Sequence, residues 1–133
     1  MRALAALLAA LPLSAVPALP VAAAEPVERP PDTARTRLLL ADTMGAMHYL
    51  TIICSGRLLQ DWRNRMSEML SLESLADYQA TDLIAAFNHG YRQQKRYYPE
   101  CTAQNVSRIA AQKRYFAEQG KVLAATLADP YLH

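Results

Sequence analysis

The sequence predicts an all-α protein: a small antiparallel bundle of about four helices, stapled by one disulfide and preceded by a cleaved signal peptide. In four successive segments apolar residues recur at spacings of three and four, with almost no β-branched alternation and no hairpin turn signal. The connections between these segments are short, which favours antiparallel neighbours. Two cysteines stand far apart in a chain that opens on an Ala/Leu-rich run.

That opening run, "MRALAALLAALPLSAVPALPVAAAEP", has Arg2 near its start and small residues at Ala22 and Ala24, the two positions of an A-x-A cleavage site before Glu25. Pro12, Pro17 and Pro20 each remove a helix hydrogen bond, which argues against a retained membrane anchor. The expected organisation is a signal peptide over 1–24, a flexible Pro-rich leader over 25–32, and one helical domain over 33–133. The protein is then periplasmic or secreted, with no stable membrane span after cleavage.

The first helix is expected from about Thr33 to Ser55. Leu40, Met44, Met47, Thr51 and Cys54 share one face, and Ala41, Gly45, His48 and Ile52 form the adjoining stripe. Small residues at 41 and 45 let another helix approach closely, and Gly56 sits where a left-handed cap often ends a helix. Asp61 is the expected N-cap of the second helix, whose buried stripe is Trp62, Met66, Met69 and Leu70. The third starts near Ser74 or Asp77 and runs to about Tyr98, where Pro99 stops it. Its expected face is Ala80, Ile84, Phe87, Tyr91, Lys95 and Tyr98. The fourth starts near Thr102, keeps its spacing through Val106, Ile109, Ala110, Lys113, Phe116, Gly120, Leu123 and Leu127, and ends at Asp129–Pro130.

Without residues 1–24 the charge is nearly balanced, at 13 basic and 12 acidic side chains, yet unevenly spread. Residues 25–91 carry 6 basic and 9 acidic groups, whereas 92–133 carry 7 and 3. A nearly neutral exported chain argues against nucleic acid as a partner.

In an oxidising compartment Cys54 and Cys101 are expected to form a disulfide, since no C-x-x-C or C-x-x-C-H spacing occurs. Closing a loop of that length contributes about 4 kcal/mol in the chain-entropy model. For a domain this small that is a large share of net stability.

No catalytic pattern is present. There is no G-x-S-x-G, no Gly-rich phosphate loop and no H-x-x-x-H or E-x-x-H spacing of a bundle metal site, so no catalytic residue, metal or cofactor is assigned. His48 and His89, with Glu73 or a tyrosine, are better read as hydrogen-bonded core or surface residues than as ligands; His133 is terminal. The functional lead is instead the tract Arg92, Lys95, Arg96, Tyr97 and Tyr98, where bases and aromatics at helical spacing suit an acidic envelope protein or an anionic envelope component. Against it stands the plain reading of a solvated face beside core tyrosines. Arg92 and Arg96 are four apart and repel unless a partner sits on them.

The stretches "GAMHYLTIIC", "WRNRMSEML" and "FNHGYR", followed by Tyr98 and Cys101, resemble an uncharacterised family of small exported α-proteobacterial proteins with two well-separated cysteines. The resemblance covers about residues 36–125. It implies a periplasmic location and the Cys54–Cys101 pairing, and it carries no activity or ligand. The sequence therefore favours a non-catalytic interaction or envelope-support protein. The alternative is a ligand-binding or hydrolytic protein with a pocket between the first and third helices, built from His48, Tyr49, Asn88, His89 and Arg92.

Overall fold

A computed structural model describes residues 32–72 and 74–128. The expected signal peptide, residues 25–31 of the leader, Glu73, the Asp129–Pro130 stop and His133 lie outside the described residues. Four helices make up the fold: α1 (Thr33–Ile52), α2 (Asp61–Leu72), α3 (Asp77–Tyr97) and α4 (Val106–Ala128).

Helices α1, α3 and α4 each begin with a local device that satisfies polar backbone groups at their start. Asp32 caps α1, its carboxylate accepting from the Arg35 N–H at 3.1 Å. In α2 the Asn64 N–H donates to the Gln60 carbonyl, so the cap is Gln60 and not Asp61 as expected. Asp61 is instead the first helical residue, where its carboxylate faces the positive end of the helix dipole. Neither Ser74 nor Asp77 caps α3. Ala76 does, with the Gln79 side chain reaching back to accept from the Ala76 N–H. Thr102 and Asn105 exchange hydrogen bonds in the turn that leads into α4. The Val106 N–H already donates to the Thr102 carbonyl, which is why the signal for this helix sits at Thr102 while regular helix starts later. At the far end of α1, Gly56 takes a φ of 62°, the left-handed conformation expected of it.

The helix α1 is the hub. Every residue from Thr43 to Leu50 is buried, and α1 packs against all three other helices, most extensively against α3. A helix apolar or small on all sides has to be central. Two clusters fill its surroundings: Ala41, Met44, Met66, Leu83 and Phe87 toward one end, and Tyr49, Leu50 and Ile109 toward the other. Contacts among the outer three helices are sparse.

The α1–α3 crossing is set by glycine. A β-carbon on Gly45 would lie 1.8 Å from the Phe87 carbonyl oxygen, and one on Gly90 would lie 1.9 Å from the Asp42 carbonyl oxygen. Each helix thus presses its backbone onto the other at the other's glycine. These contacts run in the same sense along both helices, from Asp42 with His89 to Tyr49 with Tyr98 and Cys54 with Cys101, so α1 and α3 are parallel. The partners of α2 and α4 run in the opposite sense, with Gly120 facing Thr43 and Val106 sharing a cavity wall with Cys54. The up-down order expected of a bundle holds, but its parallel pair is the tightest one.

The expected α3 face needs correcting. Leu83, Phe87, Gly90 and Gln94 are its buried residues, while Ile84 is exposed. Glycine 90 and Gln94 carry no hydrophobic signal, so apolar spacing alone rotates the stripe away from its true centre.

The Cys54–Cys101 disulfide is formed, with the α-carbons 5.2 Å apart. It ties the end of α1 to the segment before α4, 47 residues on. No described helix is long and apolar enough to cross a membrane.

Candidate functional site

The residues singled out from the sequence fall in four separate places. His48 is buried between the rings of Phe87 and Tyr91, with centroids 5.9 and 5.7 Å away. Burial pushes its imidazole below the ordinary pKa range, and the nearby Arg63 charge adds to the effect. Tyr49 is also buried, edge-on to Tyr91 at 5.1 Å, with its hydroxyl donating to the Tyr98 carbonyl. Burial, and secondarily Tyr91, raises the Tyr49 pKa. Both residues are core anchors that tie α1 to α3.

Asn88 and His89 follow one another on exposed α3 and so point to different sides of it. Asn88 lines a cavity of about 390 Å³ shared with Arg63, Ser67 and Leu70 of α2. His89 turns the other way, its Nδ1 2.5 Å from the Asp42 carboxylate. Arg92, Lys95 and Arg96 all face solvent, and Arg96 donates to the Gln93 side chain at 2.8 Å. A cavity of about 230 Å³ does lie between α1 and α3, but at their N-terminal ends, against Arg37, Leu38, Tyr78 and Asp82. None of His48, Tyr49, Asn88, His89 and Arg92 lines it. The tight glycine crossing lies between that cavity and His48, which is why those five residues do not converge on shared space.

A larger concavity lies elsewhere. Helices α2 and α4 both dock on α1 and leave a groove of about 570 Å³ between them. Leu40 and Met44 of α1 form its floor. Trp62, Met69 and Leu72 of α2 line one wall, and Phe116, Gly120 and Ala124 of α4 line the other. The four-residue steps from 116 to 124 present one continuous face along α4. Gly120 lacks a side chain where the groove is deepest in α4, and a β-carbon there would meet only the Thr43 methyl at 3.5 Å.

Charges stand at the rim. Arg65 lies over the Trp62 ring at 5.6 Å, Glu68 is one turn on, and Lys121 pairs with Glu118 at 2.8 Å. Such a site can bury an apolar surface and can bond to polar groups of either sign around it. Among the described residues no group of three or more His, Cys, Asp or Glu side chains is placed to hold a metal ion.

Leu40, Met44, Trp62, Met69, Phe116 and Gly120 of the groove's lining stand in the stripes expected of α1, α2 and α4. What the spacing does not reveal is that the stripes of α2 and α4 fail to meet.

The chain matches, over residues 34–131, the family model described as a protein of unknown function, DUF2385, and it belongs to that family. No curated protein and no solved structure matches it.

Proposed function

We propose that this member of the DUF2385 family is an exported, non-catalytic interaction protein whose groove between α2 and α4 receives an amphipathic helical segment of an envelope protein. The observation that carries the reading is the groove itself, an apolar trough of about 570 Å³ floored by the central helix and left open by its two neighbours. Recognition by an amphipathic helix uses apolar anchors at i, i+3, i+4 and i+7 laid into such a trough. Met44 and Met69 suit this use, because the unbranched thioether adapts to different partner side chains.

The rim argues for a protein segment over an anionic amphiphile. Glu68 stands between the two bases of the rim, and Lys121 is already paired with Glu118 at 2.8 Å, which leaves little positive charge for a headgroup. A helix with a mixed polar face fits that rim. Export is supported by the Ala/Leu-rich N-terminal stretch with its small-residue cleavage pattern and by the disulfide, which persists in oxidising compartments.

Photo-cross-linking in the exporting cell tests the reading. A photoreactive residue replacing Leu72 or Gly120 is expected to capture an envelope protein through an amphipathic helical peptide, identified by mass spectrometry. The same residue at exposed Ile84 of α3, which does not line the groove, is expected to capture none. Equal capture from both faces, or adducts confined to non-helical segments, would overturn it.

A further inference from the structure

We infer that the disulfide end of the molecule is a docking surface for a bilayer carrying anionic phospholipid headgroups. This inference is independent of the groove, which opens along the side of the molecule.

The up-down topology converts an uneven charge distribution along the chain into a charge difference between two ends in space. The end of α1, the start of α2, the end of α3 and the start of α4 come together at the disulfide. Arg57 lies in the loop after Cys54, Arg92, Lys95 and Arg96 lie in the last turns of α3, and Arg108 lies in the first turn of α4. All five are exposed. Among the described residues neither Arg92 nor Lys95 has an ion-pair partner, and the acidic side chains at this end are Asp61 and Glu100. The opposite end mixes Asp32, Asp77 and Asp82 with Arg35 and Arg37, and so lacks the surplus of bases found at the disulfide. An anionic surface would therefore attract the disulfide end more strongly than the other, orienting the molecule before contact.

Apolar groups stand among these bases. Leu58, in the loop beside Arg57, is 88% exposed, Tyr97 beside Arg96 is 67% exposed, and Val106 before Arg108 is 45% exposed. A leucine held so far from its own fold has no packing role in the molecule. Peripheral binding to membranes joins two such signals, insertion of apolar and aromatic side chains at the headgroup boundary and attraction of bases to anionic lipid. Either alone is marginal. A fluid bilayer also needs no matching pocket, which suits bases and apolar tips spread over two loops and three helix ends. An acidic protein would use the bases and leave Leu58 unexplained.

Co-sedimentation tests this with the disulfide-bonded protein secreted by an exporting host. Vesicles of phosphatidylglycerol mixed with phosphatidylethanolamine are compared with vesicles of phosphatidylcholine alone. Binding to the anionic vesicles only is expected, weakening as salt is raised. The variant Lys95→Glu with Arg96→Glu is expected to lower partitioning by roughly tenfold or more. Because charge reversal there also opposes the α3 dipole, Leu58→Asp in the loop serves as a second variant outside any helix, and it should weaken binding with helix content unchanged. Equal binding to both vesicle types, binding indifferent to both variants, or no binding to anionic vesicles would overturn the inference. The last result is also what a surface reserved for an acidic protein would give.

Discussion

An alanine methyl at Gly45 would stand 1.8 Å from the Phe87 carbonyl oxygen, and at Gly90 it would stand 1.9 Å from that of Asp42. The atoms in the way are backbone, so α1 and α3 would have to move apart and unpack the shared core. Gly45→Ala and Gly90→Ala are each expected to destabilise at or above the top of the roughly 1–3 kcal/mol range for overpacking. At Gly120 a methyl meets an ordinary contact at 3.5 Å, and alanine is the better helix former. Gly120→Ala is therefore expected to stabilise by about 0.5–1 kcal/mol. Urea unfolding of the three variants checks both signs. His48 adds a pH dependence. Its folded pKa is lowered from 6.5, first by burial and then by Arg63, so protonation favours the unfolded chain. The stability tied to the neutral ring is complete above pH 6.5 and is lost as pH falls below it toward the folded value. Thermal melts between about pH 7 and pH 5 should show a falling Tm whose slope is shallower in His48→Gln.

At the scale of the element, sequence periodicity served the four helices unequally. It located all of them because apolar spacing repeats within each and because Gly56 and Pro99 punctuate the chain where the backbone turns. On α3 it chose Ala80 and Ile84 over Leu83, Gly90 and Gln94, since a glycine that admits another backbone looks like a gap in an apolar stripe. On α1 it described two adjoining stripes where burial is continuous from Thr43 to Leu50. Small residues at 41 and 45 carried the true signal of a close approach, and they were legible. The disulfide acts between elements, closing 47 residues of chain between the end of α1 and the start of the last helical turn structure. Cys54→Ala with Cys101→Ala is expected to cost about 4 kcal/mol in the chain-entropy model. Tying Tyr98 and its neighbours to α1 then rests on the Tyr49 hydroxyl and on ring packing alone. Chemical denaturation of the oxidised protein against that double variant measures the difference.

For the whole molecule, the arrangement of three helices around α1 decides what is left open. Two helices docked on one hub cannot also close on each other unless their side chains bridge the space, and α2 and α4 do not. The groove is a consequence of that geometry. Its residues could be read one helix at a time from the sequence, but the space between them could not, because it depends on how far apart two helices sit. The charged end is the reverse case: the acidic-first, basic-last order was plain in the sequence, and the topology turned it into a property of one end.

The groove as an open binding site on the folded protein is the claim on which the functional reading stands, and the chain's single tryptophan lies in its wall. The most direct measurement is Trp62 emission while a naphthalene-type apolar probe is titrated into the native protein and into Gly120→Leu, whose added side chain fills the groove from α4. Saturable quenching of Trp62 by energy transfer to the probe, lost in Gly120→Leu at unchanged helix content, is the predicted result. Quenching that is the same in both proteins, or absent from the native one, would contradict the account.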